Sequence, residues 1–238
     1  MFQQNPEFDL KATLDLLKND PSGVDSRLKS MNAPVDIFDE KKGKIDSTKL
    51  SAYFLKTYTE CQQILENNVP KYLKAWNKIN DKFFNRLNSI INLDWPHNDY
   101  IVNLSPITEG ISEFKDNQII TIGLAEPAYQ MRITAHELTM IFIWHYLFRN
   151  FPESNEYAKP DIWYKYWGVN EVITNALLGL DSELNSLWTD ESKGDDFLLN
   201  YPQLTELKSL VREKYNKSSF EELVRFAVAN QTHVQADK

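Results

Sequence analysis

The chain has 238 residues, of which 42% are hydrophobic and 13% aromatic, and this composition excludes a disordered protein. Its net charge of −8 argues against nucleic acid or an anionic membrane surface as the main partner. The single cysteine, Cys61, excludes an internal disulfide and fits a reducing compartment. Because residues 1–7 lack the pattern of a signal peptide, we expect a cytoplasmic protein.

The spacing of apolar residues predicts that residues 1–95 are helical. A first short helix is expected to end at the turn 20–23. Two longer apolar series follow, one starting at Ser47 and one ending at Ile90, and Pro70 interrupts the chain between them. We therefore expect an N-terminal helical hairpin that packs on the core, and no residue in it indicates chemistry.

Two short segments rich in β-branched residues, 100–104 and 118–124, predict strands. They precede a long apolar segment whose length is typical of a helix. The expected fold class is therefore α+β, mostly helical, with a small sheet and a buried helix.

The most apolar stretch of the chain predicts a helix over residues 127–149. A proline opens it, and neither Gly nor Pro follows within it. Apolar residues lie on every side of this helix, which is typical of a helix buried in a core. Its length would suffice to span a bilayer, but the charged residues Arg132 and Glu137 argue against a membrane span.

His136 and Glu137 lie side by side in the middle of this helix, where an uncompensated charge is costly. In the zinc-peptidase motif H-E-x-x-H, two histidines four residues apart share one zinc ion, and the Glu after the first His is the general base. Met140 occupies the position of the second His. His145 cannot replace it, because nine helical residues turn its side chain about 180° away from His136.

Two segments of the chain together resemble a known family. Residues 136–140 (HELTM) and 170–175 (NEVITN) are similar to the motifs HExxH and NExxxD of the gluzincin metallopeptidases, the thermolysin-like group. The resemblance covers residues 100–180 and implies a zincin-like core. In that group the edge of the sheet pairs with an extended substrate. An ordinary covered sheet is the alternative, and the sequence leaves both open.

The resemblance also implies roles for individual residues. His136 is expected to be the first zinc ligand, Glu171 the third ligand and Glu137 the general base. Met140 departs from the second ligand. In the family an Asp four residues after the third ligand is a partner of the first His, and Asn175 stands at that position.

The helix that carries the second motif is expected at residues 168–180, with a glycine opening it. Two closing helices are expected within residues 202–229. The last begins at Ser218, where Ser218 and Glu221 suggest a capping box. Together, residues 96–238 form the zincin-like region, and we expect the whole chain to fold as one unit.

No motif identifies the group that would stabilise a tetrahedral oxyanion. Tyr164, Tyr166 and His145 are candidates only by their proximity in the sequence. Aromatic residues just before the second motif are more typical of packing than of a binding site.

Three hypotheses follow for the function. A working zinc peptidase needs three protein ligands and an open position, whereas the thioether of Met140 is a poor zinc ligand and Asn175 carries no charge. The favoured hypothesis is a zincin-like protein that binds zinc weakly or not at all and binds a peptide or serves as a structural module. The third is that His136 and Glu137 are a satisfied buried pair and the resemblance is coincidental.

The favoured hypothesis makes geometric expectations. His136 and Glu171 should converge from adjacent helices, and Met140 should point into the same space. Without a metal, two glutamates in one buried cleft cannot both ionise freely, so either Glu137 or Glu171 should have a raised pKa. His136 would be the compensating cation.

Overall fold

The computed structural model describes residues 1–19, 28–29, 31–39, 44–112, 116–188 and 201–231. The predicted turn at 20–23 lies outside the described residues. The protein is 69% helical and carries a small mixed sheet, so the predicted α+β, mostly helical class is confirmed. The helices are α1 Pro6–Asn19, α2 Ser47–Trp76, α3 Asn80–Ile91, α4 Pro127–Asn150, α5 Pro160–Leu180, α6 Ser182–Asn185, α7 Thr205–Tyr215 and α8 Phe220–Asn230.

The strands are β1 Phe2–Gln3, β2 Phe38–Asp39, β3 Lys44–Ile45, β4 Ile101–Ser105, β5 Gly110–Ser112 and β6 Gln118–Ile122. The main sheet has four of them in the order β1-β4-β6-β5. Strand β4 is parallel to both β1 and β6, and β5 pairs antiparallel with β6 at one edge. A separate antiparallel ribbon joins β2 and β3. The two predicted strands correspond to β4 and β6, and the other four were not predicted.

The predicted interruption at Pro70 is wrong, because α2 continues through it from Ser47 to Trp76. A proline inside a helix removes one backbone hydrogen bond. Here tertiary contacts on either side hold the helix together: Asn68 Nδ2 and the Tyr72 hydroxyl both donate to the Gly123 carbonyl, at 3.0 and 2.9 Å. Helix α3 then packs against α4, α6 and α8 rather than along α2, so the two helices form no side-by-side hairpin.

Helix α4 is the centre of the core, as its apolar sequence predicts. Every side chain from position 130 to position 144 is buried. The helix packs against β5 and β6 on one side and against α5 and α2 on others, which explains why its apolar residues do not form a single stripe. No helix in the described parts of the chain is long and apolar enough to cross a membrane.

Helix α5 begins at Pro160, eight residues before the predicted start at 168. The glycine at 168 lies inside the helix for a packing reason. A Cβ at this position would lie 2.7 Å from the Gln231 side-chain nitrogen and 3.0 Å from Leu204 Cδ2. The absence of a side chain therefore lets the C-terminal part of the chain approach α5 closely.

The C-terminal helices α7 and α8 match the predicted region 202–229 closely. The capping box is displaced by one residue from the predicted pair. Ser219 is the N-cap of α8, and its partner is Glu222, whose carboxylate accepts from the Ser219 backbone N–H at 2.9 Å. The sequence offers two adjacent serines, and the buried positions of α8, such as Val224, fix the register.

Candidate functional site

The candidate site lies where α4 and α5 pack side by side beneath strand β5. His136 Nε2 and Glu171 Oε2 are 3.3 Å apart, so the predicted convergence of these two side chains is observed. His136, Glu137 and Glu171 are only 5%, 9% and 6% exposed. Three ionisable side chains thus share a nearly water-free space, where electrostatic interactions are strong.

The 3.3 Å contact is an ion-pair distance. Within the described part of the chain, Glu171 Oε2 accepts no well-formed hydrogen bond. Two atoms bound to one tetrahedral zinc at about 2.0–2.1 Å would lie about 3.4 Å apart, so the spacing also suits two ligands of one ion. The positions of His136 and Glu171 therefore fit two of the three expected metal ligands.

Met140 does not supply a third. Its side chain is buried, and its sulfur accepts a hydrogen bond from Thr174 Oγ1 at 3.5 Å. Its backbone carbonyl accepts another from Asn170 Nδ2 at 2.9 Å. Both partners belong to α5, so Met140 joins the two helices as a packing residue.

The donor set is therefore incomplete for a catalytic zinc. A neutral thioether is a soft ligand that zinc does not favour beside imidazole and carboxylate. Among the described residues, no group of three or more His, Cys, Asp or Glu side chains is arranged to hold a metal ion. His136 and Glu171 are two donors where a zinc enzyme uses three.

Glu137 lies directly under the edge strand. A Cβ added at Gly110 would collide with its carboxylate, which places this carboxylate close to the backbone of β5. Burial raises the pKa of Glu137 from the ordinary 4.5 to about 7; the positive charge of His136 opposes this shift and the negative charge of Glu171 adds to it. The expectation that one glutamate of the cleft has a raised pKa is met by Glu137.

His136 is the basic group of the cluster. Burial alone would lower its pKa, but the negative charge of Glu171, with a smaller contribution from Glu137, raises it above the ordinary 6.5. The site therefore consists of His136 and Glu171 at ion-pair distance beside a carboxyl group, that of Glu137, whose pKa is about 7.

Arg132 is a neighbour that sequence reasoning did not place at the site. It lies one helical turn before His136, is 2% exposed, and its guanidinium is stacked over the Trp188 ring at 5.2 Å from the centroid. Its positive charge acts to lower the pKa of His136. The sequence could have indicated this neighbour, because Arg132 and His136 are four residues apart on one helix and their side chains therefore lie on the same face.

Strand β5 is the second feature that the sequence did not indicate. The Ile122 N–H donates to the Glu109 carbonyl at 3.0 Å, which makes these two residues a hydrogen-bonded pair of the β5–β6 ladder. Bonded and non-bonded pairs alternate in an antiparallel ladder. Ile111 therefore also bonds to β6, whereas Gly110 and Ser112 direct their backbone N–H and C=O groups away from it.

The remaining predicted residues are distributed differently. Asn175 is buried one turn beyond Glu171 on α5. Tyr164 is partly buried and lies on the same face of α5 as Glu171, two turns earlier, so it stays a candidate. The Tyr166 hydroxyl instead donates to Glu153. His145 lies on the opposite side of α4, where burial and then the charges of nearby basic groups lower its pKa.

No model of a known protein family matches this chain, and neither a curated protein nor a solved structure does so. The gluzincin resemblance therefore depends on the two short motifs. The relative positions of α4, α5 and β5 are the structural features that bear on this resemblance.

Proposed function

We propose that this protein has a zincin-like metallopeptidase fold with a degenerate metal site, and that it binds an extended peptide segment without cleaving it efficiently. The observation that carries the proposal is the arrangement of three residues. His136 and Glu171 meet at 3.3 Å from adjacent helices, and Met140, at the position of the second histidine, bonds to α5 instead.

The position of the sheet supports a zincin-like core. Helix α4 packs against β5 and β6, and β5 is the antiparallel edge strand. The close contact between Gly110 and the carboxylate of Glu137 puts this edge directly beside the motif helix. In the resembled family, the corresponding arrangement brings an extended substrate next to the metal site.

Strand β5 also supplies the means to bind a peptide. The backbone groups of Gly110 and Ser112 that point away from β6 are oriented to pair with one more strand. Such pairing gives main-chain hydrogen bonds and therefore suits peptides of many sequences. The peptide backbone would then lie close to Glu137.

Efficient hydrolysis is not proposed, because the donor chemistry does not support it. A catalytic zinc needs three protein ligands and one open position. The chain presents one imidazole and one carboxylate in suitable positions, and the neutral Asn175 replaces the charged partner of the first histidine. A lost partner of this kind weakens a metal site by about 10- to 100-fold.

The first test measures metal binding by wild type, Met140→His and Met140→Gln. A histidine at 140 should complete a His, His, Glu set, so we expect near-stoichiometric zinc in that variant and little in the other two. Zinc should raise the melting temperature of Met140→His only. If Met140→His also binds no zinc, the gluzincin resemblance is wrong.

The second test measures the binding of an unstructured, casein-derived peptide by fluorescence anisotropy. Ser112→Pro removes the hydroxyl and one outward N–H group, whereas Ser112→Ala removes the hydroxyl alone. We expect the proline variant to bind about 10-fold more weakly than the alanine variant, a difference of about 1.4 kcal/mol. Equal affinity in the two variants would show that the peptide does not pair with β5.

An active zinc peptidase is the second candidate, and one observation favours it. A carboxyl group with a pKa of about 7 beside a potential metal position suits a general base at neutral pH. Stoichiometric zinc in the wild type, with peptide cleavage that Glu137→Gln abolishes, would establish this candidate and refute the degenerate site.

A further inference from the structure

A further buried carboxylate, outside the candidate site, lies in helix α1. Asp9 is fully buried and accepts hydrogen bonds from the Tyr58 hydroxyl at 2.7 Å and the Thr108 hydroxyl at 2.7 Å. Thr13 Oγ1 lies 3.4 Å from the same carboxylate. Ser105 belongs to the same group, because its hydroxyl accepts a hydrogen bond from the Thr108 backbone N–H at 2.7 Å. We call these five residues the Asp9 cluster.

The donors of the Asp9 cluster suit an ionised carboxylate. Hydroxyl groups of Tyr58 and Thr108 donate to it, and a carboxylate only accepts. Burial raises the pKa of Asp9, and the hydrogen bonds from the surrounding hydroxyls oppose that rise. A buried carboxylate is a costly way to fill space, so a role beyond packing is expected for it.

The Asp9 cluster is connected to the edge strand through a short turn. Ser105, the last residue of β4, accepts hydrogen bonds on its hydroxyl from the backbone N–H groups of Ile107 and Thr108, at 2.9 and 2.7 Å. Thr108 is then only two residues before Gly110, where β5 begins. The turn that leads into β5 is therefore bonded to α1 at Thr108 and to β4 at Ser105.

From this connection we infer that the hydrogen bond between Asp9 and Thr108 positions strand β5 over Glu137 and so holds the peptide-binding edge in place. Asp9 and Thr108 are positioning residues, because both are buried and act through the turn that leads into β5. The inference rests on the proposed function, since it assigns a purpose to the position of that edge.

Two hydrogen bonds of the Asp9 cluster make it possible to distinguish the positioning of β5 from a general effect on stability. Thr108 connects Asp9 to the turn before β5, whereas Tyr58 connects it to α2. Removing either hydroxyl takes one donor from the same carboxylate. Only the loss of the Thr108 hydroxyl should release the edge strand.

The first experiment compares Thr108→Val, Thr108→Ser and Tyr58→Phe by native-state amide hydrogen exchange. The reporter is the Ile122 N–H, which donates to the Glu109 carbonyl. The reference is the amide of Ile141 in the core helix, which corrects for global stability. We expect Thr108→Val to increase the exchange rate of the reporter relative to the reference by about 10-fold. Thr108→Ser, which keeps the hydroxyl, and Tyr58→Phe should leave the ratio near its wild-type value.

The second experiment measures the affinity of the same variants for the casein-derived peptide. Thr108→Val should bind about 10-fold more weakly than wild type, and Tyr58→Phe within about 2-fold of it. An unchanged exchange ratio in Thr108→Val overturns the inference, and so does unchanged affinity when wild type binds. If wild type binds no peptide, the proposed function fails, and the exchange ratio still decides whether Asp9 and Thr108 position β5.

Discussion

Two regions of the protein bury carboxylates in different surroundings, that of Asp9 in one and those of Glu137 and Glu171 in the other. Asp9 is surrounded by hydroxyl donors, each of which can satisfy its charge. Glu137 instead lies near a second carboxylate, that of Glu171, and a histidine that is already paired with it. Burial raises the pKa of both Asp9 and Glu137, but hydrogen bonds from neutral hydroxyls oppose the rise at Asp9, whereas the negative charge of Glu171 adds to it at Glu137.

This difference separates a structural site from a candidate functional one. Hydroxyl groups around Asp9 favour one fixed geometry, which suits a residue that positions other parts of the chain. In the cluster of His136, Glu137 and Glu171, burial and the charges of the neighbouring side chains shift the pKa of His136 and of Glu137. Perturbed ionisable groups of this kind are frequent at functional sites.

Removal of the Asp9 carboxylate should be the most damaging change. Asp9→Ala removes the carboxylate that accepts from the hydroxyls of Tyr58 and Thr108, so we expect the free energy of unfolding to fall by about 3–5 kcal/mol. Urea denaturation measures the loss. Asp15→Ala, on the exposed side of the same helix, is the control and should change stability by less than about 1 kcal/mol. A loss of under about 1 kcal/mol in Asp9→Ala would show that the hydroxyl network contributes little.

Removal of the ionisable group of Glu137 should have the opposite effect and raise the free energy of unfolding at alkaline pH. Its pKa is raised from 4.5 to about 7, so between these values the folded protein holds a proton that the unfolded chain has lost. The contribution of Glu137 to the free energy of unfolding is therefore at its maximum below pH 4.5. It falls as pH rises towards 7, by about 3 kcal/mol at most. The raised pKa of His136 extends the fall above pH 6.5.

Glu137→Gln should remove the Glu137 part of this fall. We expect the variant to be more stable than wild type at pH 8 by up to about 3 kcal/mol, and nearly equal to it at pH 4.5. Denaturant unfolding at a series of pH values measures both. Glu206→Gln, at an exposed site, is the matched control. A wild-type stability that rises between pH 5 and pH 7 would contradict the burial of an ionisable Glu137.

The sequence predicted the central elements of the fold because their signals are local. The apolar run without Gly or Pro located α4 almost to the residue, and the paired motifs located His136 and Glu171 on neighbouring helices. The break at Pro70 and the start at Gly168 were wrong for one physical reason. Both positions lie inside a helix, where the chain contacts distant residues: Gly123 near Pro70 and Gln231 at Gly168.

The features that the sequence did not indicate depend on long-range contacts or on very short elements. Strand β5 has three residues, one of them glycine, and no alternating pattern can be recognised over that length. Asp9 and Thr108 are separated by 99 positions in the chain, so their hydrogen bond leaves no periodic signal. Such pairs become visible only when the fold brings them together.

Gly110 should tolerate a side chain only if Glu137 is shortened. Gly110→Ala places a methyl group against the Glu137 carboxylate, so we expect a loss of about 2 kcal/mol. In a Glu137→Ala background the same change should cost less than about 1 kcal/mol, because the colliding atoms are absent. A double-mutant cycle by urea denaturation measures the coupling. Equal costs in both backgrounds would mean that β5 and Glu137 are not in direct contact.

The smallest loss of stability is expected where a buried hydroxyl donates its hydrogen bond to a neutral acceptor. Thr174 is as buried as Thr108, but its Oγ1 lies 3.5 Å from Met140 Sδ and 3.2 Å from Asn170 Oδ1, and neither atom is charged. Hydrogen bonds to neutral acceptors are roughly half as strong as those to ionised ones. We therefore expect Thr174→Val to lower the free energy of unfolding by about 1 kcal/mol, and Thr108→Val by about 2 kcal/mol. Urea denaturation of the two variants measures the difference, with Thr174→Ser and Thr108→Ser as controls that keep each hydroxyl. If Thr174→Val costs more than Thr108→Val, the region around Met140 is held more strongly than its neutral contacts explain, and the assigned contrast between the two regions is reversed.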